Sequence, residues 1–557
     1  MAEVDGGRLV AKMLKQEGVE YIFTLSGDVW PIYGGCWEEG IKVIDFRHEQ
    51  TATHAAEGWA KATGKPGVAT VVRGPGLTNA VTAVTNAFLS PSPIILFTAR
   101  NPISEWERGS LQEMDAVEIL RPVTKWAKLV VEQNRVPEYV SMAFRHATSG
   151  KPGPTLLEIP TDILGETIDD SEVEFPTKYR TEGRPEGDPL LVKEAANLLA
   201  KAHNPVVLAG GMVWWSQAAD ALHEFLQTGG FPVYLNGMAR GSISPDYPLC
   251  FGQSRNFALG QADVVLAIGV RLDFRLGFGR SPIFHPEAKV IQVDVDPADI
   301  GHNRPIEVGI AGDIRSILQQ LNRELCNSFD ISPKTSWIET LCNEEVRRQE
   351  EAEPLLNSDA VPIHPMRLCK EIRDFLDMDS TVVGDGGHVV TLGSRVIKVH
   401  YPGHWMDPGP MGTLGVGAGF AIATKLARPH EQVLLLSGDG SFGMWAMELD
   451  TMVRHNIPVV TVVGNNAVWL MAGQAPEGRP DRELARNLLD KTRYDKVAES
   501  LGCHGEYVER PEEIRPALER AFASGLPACV NVITDPEVRA ERRTRATEEP
   551  AAETETK

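Results

Sequence analysis

The stretch from Gln432 to Asn466, QVLLLSGDGSFGMWAMELDTMVRHNIPVVTVVGNN, decides the fold. Its opening apolar run stops at Gly438-Asp439-Gly440 and reads as a strand buried on both faces. A helix-length amphipathic segment beginning near Ser441 follows, and a second β-rich run closes at Asn465-Asn466. Strand, helix and strand in this order put both closing loops at one edge of one parallel sheet, the edge where open α/β folds hold their ligands. Asp439 offers a hard carboxylate oxygen there and Asn466 an amide oxygen, the donors Mg²⁺ takes when it also carries phosphates. Gly438 and Gly440 let backbone amides approach such phosphates, and a helix from Ser441 aims its positive end at them. Taken singly, Gly-Asp-Gly and Asn-Asn are ordinary turns. Their joint placement is what points to a site.

The same form recurs outward from this stretch. GVATVV (Gly67 to Val72) and PIILFTA (Pro93 to Ala99) lie early in the chain, PVVLAGG, FPVYL, ADVVLAIG and KVIQVDVDP in its middle, and STVVGDGG shortly before the opening stretch. Helix-length amphipathic segments separate them, the pattern of βα units around buried parallel strands. At 557 residues the chain exceeds what one core supports. The expectation is an α/β protein of three doubly wound parallel-sheet domains, over residues 1–166, 189–341 and 360–536. An acidic stretch, GETIDDSEVEFPTKYRTEGRPEGDP, reads as the first linker, and NEEVRRQEEAEPLLNSDA leads into the third domain. Residues 537–557 are too polar to offset the cost of ordering and read as a mobile tail or lid.

Composition narrows the function class. A formal charge of -21 argues against a nucleic-acid partner, since phosphate binding needs basic patches. The seven cysteines form no CxxC pair, which fits neither a zinc site nor a secreted disulfide framework, and a reducing cytoplasm is expected. No apolar run approaches the length of a membrane span, so no membrane is expected.

With its loops at this separation, the Gln432–Asn466 stretch resembles the diphosphate-and-magnesium motif of thiamine-diphosphate (ThDP) enzymes. The resemblance implies Asp439 and Asn466 as metal ligands, with the backbone carbonyl of Val468 as the third; many relatives have glycine near Ala467-Val468. IDFRHEQTATHAAEGWAKATGKPGVATVVRGPGLTNAVTAVTNAF, from Ile44 to Phe88, resembles the pyrimidine-binding domain of the acetolactate synthase superfamily. By that resemblance Glu49 meets N1′ of the aminopyrimidine, where a carboxyl sharing a proton favours the imino tautomer that activates C2. Read from the sequence alone, Glu49 is equally an N-cap or first-turn acid of the helix it opens. The neighbouring His48 reads as structural.

DPGPMGTLGVGAGFAIATKLA, from Asp407 to Ala427, resembles the segment that holds the cofactor bent. It implies Leu414 as the apolar wedge between the two rings and Gly412 as a close backbone approach; the bland alternative is a glycine-rich turn. GDGGHVV sits where the family has a loop over the diphosphate, implying Gly387 and His388 as contacts, although a surface histidine reads as well. Gly438, Gly440 and Ser441 complete the diphosphate set.

On reaction type, Gln112 matches a glutamine lining the site in acetolactate synthases and 2-hydroxyacyl-CoA lyases, or caps the following helix. Val29 stands where acetolactate synthases and benzaldehyde lyase carry a catalytic histidine. The stretch AVWLMAGQAPEGRPDRELARN after the Asn-Asn pair departs from the Gly-Met-Val and tryptophan pattern of acetolactate synthases. The middle and third domains look most like 2-hydroxyacyl-CoA lyases and oxalyl-CoA decarboxylases, whose middle domain holds ADP or CoA where other branches hold a flavin. Arg271 and Arg275 could meet such phosphates, or form a solvated basic pair; Arg542, Arg543 and Arg545 of the tail could fold over a CoA ester. The resemblance thus implies a ThDP- and Mg²⁺-dependent carbon-carbon lyase or ligase cleaving a 2-hydroxyacyl-CoA to formyl-CoA and an aldehyde or ketone, or the reverse. The alternatives are an acetolactate synthase or benzaldehyde-lyase-like carboligase, and an inactive ThDP-fold binding or regulatory subunit. A homodimer or homotetramer is implied, with the cofactor between subunits.

Overall fold

A computed structural model describes residues 3–329, 334–469, 480 and 491–538. Three six-stranded sheets, every neighbouring pair parallel and flanked by helices, make up the architecture. The expected α/β class of three doubly wound parallel sheets is what is found.

The first sheet runs Lys42–Asp45, Tyr21–Thr24, Gly67–Val71, Ile94–Arg100, Thr155–Pro160 and Trp126–Leu129 across its width. Gly67–Val71, Ile94–Arg100 and Thr155–Pro160 are buried at every residue, which is why they read as continuous apolar runs rather than alternating ones. The second sheet orders Cys250–Phe251, Val233–Leu235, Pro205–Ala209, Val264–Ile268, Lys289–Asp294 and Val308–Ala311. The third orders Trp405–Met406, Thr381–Asp385, Val433–Gly438, Val460–Asn465, Ala528–Ile533 and His504–Val508. The first and third sheets belong to one compact unit. The second forms another, over Arg184–Leu355 and the short segment Lys398–Pro402.

Within the first unit the two sheets are joined by a close crossing of helix Glu49–Thr63 on helix Gly417–Ala427. Glycine makes the approach possible: a Cβ at Gly58 would stand 2.6 Å from the Phe420 Cα, and one at Gly419 2.6 Å from the Thr51 carbonyl oxygen. Charge is sealed into this crossing. Glu57 accepts from Asn86 at 2.9 Å and pairs with Lys61 at 2.9 Å, and the Lys61 ammonium lies 4.3 Å from the centre of the Phe420 ring. Burial opposes ionisation of Glu57, but Lys61 and His54 outweigh it and hold the carboxyl down at about 2.

Two stretches read as connectors carry structure. Thr167–Asp169, inside the acidic linker, pairs antiparallel with Glu3–Asp5 and ties the start of the chain to the exit of the first sheet. The charged stretch before the third segment belongs to a 22-residue helix, Thr335–Leu356, anchored by buried Trp337 and Leu341. Its charges work at helical spacing, Arg347 meeting Glu344 at 2.8 Å and Glu351 one turn on. The tail arginines Arg542, Arg543 and Arg545 lie outside the described residues. Among the described residues no helix is long and apolar enough to cross a membrane.

Candidate active site

Parallel pairing of Val433–Gly438 with Val460–Asn465, Gly438 opposite Gly464, brings Asp439 and Asn466 out at the same sheet edge. Asp439 is 5% exposed; one carboxylate oxygen accepts from the Gly440 amide at 2.9 Å and the other from the Ala467 amide at 2.7 Å. Burial pushes its carboxyl up, and these two amides pull the other way. The Asn466 amide oxygen accepts from the Val468 amide at 3.2 Å. Ala467 takes a left-handed φ of 55°, the conformation a glycine would adopt without strain. The helix begins at Asp439 itself, two residues before Ser441, and ends at Trp445. A Cβ at Gly440 would stand 2.6 Å from the Trp469 ring, so any larger residue would displace that side chain.

The neighbouring loop supplies Gly387 and His388. Gly386 packs its Cα side on the Gly438 amide, which lies 3.2 Å from where a Cβ would be. His388 opens helix His388–Val396, and its Nε2 is buried without a hydrogen-bond partner. Burial, reinforced by His364 and Arg395, pushes the imidazole down to about 4, so it is neutral at physiological pH.

The turn of Gly412 and Leu414 is held by a residue the sequence reading passed over. Asp385 ends strand Thr381–Asp385, is fully buried, and accepts the Gly415 amide at 3.0 Å on one oxygen and the Gly417 amide at 2.9 Å on the other. Burial raises its carboxyl to about 6, with the two amides opposing. Gly412 has φ 67° and is exposed; Leu414 is half-buried. Gly415 faces the first sheet's side of the unit: a Cβ there would lie 3.9 Å from Gln50 Nε2.

Glu49 is the first residue of helix Glu49–Thr63 and is 6% exposed. Its Oε2 accepts from Asn79 at 3.0 Å, and a Cβ on Gly76 would be 3.2 Å from Oε1. The helix cap is His48, whose Nδ1 accepts the Gln50 amide at 3.1 Å, so Glu49 is left free of that duty. Gln112 sits in a left-handed turn, φ 59°, its Cβ 2.6 Å from where a Cβ on Gly74 would be. It caps nothing: helix Ala116–Leu120 is capped by Asp115. Val29 is fully buried and presents no polar group. The preceding Asp28 pairs with Arg73, whose Nε donates to the Leu111 carbonyl at 3.3 Å beside Gln112. Asp28, Arg73, Asn79 and Asp385 were all missed by motif reading.

In the second unit Arg271 and Arg275 do not form an open basic cluster. Arg271 pairs with Asp299 at 3.2 Å and Arg275 with Asp273 at 2.6 Å. Of the stretch after the Asn-Asn pair, residues 470–479 and 481–490 lie outside the described residues.

Among the described residues no cluster of three or more His, Cys, Asp or Glu side chains is placed to hold a metal. One carboxylate, one amide and one backbone carbonyl remain, an oxygen set suited to a hard cation that draws its other ligands from phosphate and water. The residues therefore fit a magnesium-bound diphosphate. A six-stranded parallel sheet with an acid-and-amide loop pair at its carboxyl edge, in one unit with a second sheet whose following helix opens on a buried glutamate, is an arrangement suited to a cofactor-dependent α/β enzyme. Comparison of the sequence with protein families matches the thiamine pyrophosphate enzyme N-terminal binding domain over residues 4–119, the central domain over 192–321 and the C-terminal binding domain over 385–532. A probable acetolactate synthase of Mycobacterium bovis is 43% identical over 540 residues, covering 96% of this chain and 97% of that protein. A 2-hydroxyacyl-CoA lyase of Arabidopsis thaliana is 33% identical, covering 96% of each chain. A probable acetolactate synthase large subunit of Methanocaldococcus jannaschii is 33% identical over 95% of this chain and 92% of its own. The chain belongs to the thiamine pyrophosphate enzymes, in the superfamily of acetolactate synthases and 2-hydroxyacyl-CoA lyases.

Proposed function

We propose that this chain uses thiamine diphosphate and Mg²⁺ to make or break a carbon-carbon bond beside a carbonyl, with a 2-keto acid such as pyruvate as donor. The observation that carries the reaction class is that the chain presents both a buried Glu49 that does not cap its helix and the Asp439–Asn466 loop pair at one sheet edge. Thiamine diphosphate, when bound, supplies the electron sink for charge on the former carbonyl carbon. Glu49 holds a proton toward the aminopyrimidine. Asp439, Asn466 and the Val468 carbonyl hold the metal. Gly438, Gly440, Ser441, Gly387 and His388 line the diphosphate, Gly412 and Leu414 the pyrimidine, and Gln112 orients a substrate oxygen.

The 43% identity to the Mycobacterium acetolactate synthase, against 33% to the Arabidopsis 2-hydroxyacyl-CoA lyase, supports the keto-acid donor. A second reading, cleavage of a 2-hydroxyacyl-CoA to formyl-CoA and a carbonyl compound or its reverse, is supported by the buried Val29, which leaves no acid-base side chain at that position. With Arg271 and Arg275 closed in ion pairs, support for ADP or CoA in the central domain rests on the resemblance. Turnover of purified protein on pyruvate and on a 2-hydroxyacyl-CoA, products followed by mass, separates the two. Acetolactate from pyruvate supports the first reading, formyl-CoA from the thioester alone replaces it with the second, and no turnover of either favours a silent binding subunit.

A further inference from the structure

A set of polar contacts between the two halves of the first unit goes unused in the function above. Helix Glu448–Arg454 follows helix Asp439–Trp445 after a break at Ala446 and Met447. Its first side chain, Glu448, is buried and turned toward the backbone just before Glu49. Both carboxylate oxygens accept the Arg47 amide, at 3.2 and 3.1 Å, across 401 residues of sequence. Thr451 donates its hydroxyl to Oε2 at 2.6 Å, and the His48 amide and Thr51 hydroxyl also face the carboxylate.

The same helix grips this segment at three more points. Arg454 donates to the Asp45 carboxylate at 2.9 and 2.8 Å and to the Asp45 carbonyl at 2.9 Å. His455 Nε2 lies 2.9 Å from an Asp45 oxygen, and Arg47 Nε 3.6 Å from Asp450. The amides of Arg47 and His48 precede the first turn of helix Glu49–Thr63, so no intrahelical carbonyl can take them. A partner from another element has to fix the entry angle of the helix, and with it the direction in which its first side chain leaves.

The geometry points to Glu448 as a positioning residue: by fixing the backbone at Arg47 and His48 it sets the direction of the Glu49 carboxylate. This rests on the reading of Glu49 as the group that meets the aminopyrimidine. The rival is a plain fold staple, whose loss would lower stability without singling out Glu49.

The test uses the full chain with Glu448→Ala and Glu448→Gln, and Glu49→Gln as control. Deuterium uptake of the backbone over residues 45–53 is read in the cofactor-free protein. Thermal midpoint, thiamine diphosphate affinity, and proton exchange at C2 of the bound cofactor without substrate are read beside it. In Glu448→Ala the local uptake is expected to rise about tenfold and C2 exchange to slow roughly 10- to 100-fold, with cofactor affinity held within about threefold. Glu448→Gln keeps one acceptor oxygen and is expected to fall between. Wild-type uptake over 45–53 in both variants overturns the proposal, as does a loss of affinity that accounts for all the slowing. If Glu448→Ala does not fold, Glu448→Gln decides: faster local uptake with slower C2 exchange supports the role, and wild-type values for both overturn it. Unchanged C2 exchange in Glu49→Gln overturns the underlying reading of Glu49. Slow exchange there with normal exchange in both Glu448 variants overturns positioning alone.

Discussion

Glu49→Gln keeps the side chain's shape and its Asn79 contact while removing the proton it can share. Turnover of the reconstituted enzyme is expected to fall about 10²- to 10⁴-fold with the thermal midpoint nearly unchanged; equal turnover would remove Glu49 from the mechanism. Asp385→Asn carries a different expectation. Its two oxygens each take an amide, so the carboxamide sets an N–H₂ against a backbone donor, costing about 1–3 kcal/mol in denaturant unfolding. Burial raises this carboxyl from 3.8 to about 6, so the stability it contributes is complete below about pH 4 and is lost as pH rises through about 6. The gap between wild type and Asp385→Asn is therefore expected to widen from pH 7 to pH 4; a gap independent of pH would refute it. Glu49 and Asp439 stand out as candidates because each sits in a contiguous motif. Asp385 does not: STVVGDGG shows an acid at a strand end, but its partners lie 30 and 32 residues downstream. The Asp28–Arg73 pair escaped for the same reason, since only the sheet brings those loops together.

Elements were read more surely than their boundaries. Short apolar runs bounded by glycine mark strands buried on both faces, and each such run quoted from the sequence contains a strand. Charged stretches hold structure that their composition does not show. Thr335–Leu356 is polar on most of its surface yet helical, its acids and bases three and four residues apart and its Trp337 inside the second unit's core. Thr167–Asp169 is a strand because a partner 164 residues earlier completes it, information no local pattern holds. The crossing of Glu49–Thr63 on Gly417–Ala427 was likewise hidden, since alanine and glycine runs do not announce which helix they meet. Gly58→Val is expected to force the helices apart and cost about 1–3 kcal/mol or more, read as a lower thermal midpoint. An unchanged midpoint would mean the crossing yields.

At the scale of the whole molecule, the resemblance places the cofactor between subunits, and Trp30 and Trp37 stand 67% and 85% exposed on the first unit. Sedimentation velocity is expected to show two or four chains in the active species; a fully active monomer would contradict this. The helix crossing also bears on how the chain is made. Helix Glu49–Thr63 leaves the ribosome hundreds of residues before Gly417–Ala427, the element that covers its small-residue face and the Lys61 ammonium. At ~5–20 residues per second the gap lasts tens of seconds. For that interval the nascent amino-terminal half carries an uncovered alanine-rich stripe beside an ion pair that the finished fold keeps dry, so this face stays open to water until the third sheet's helix arrives.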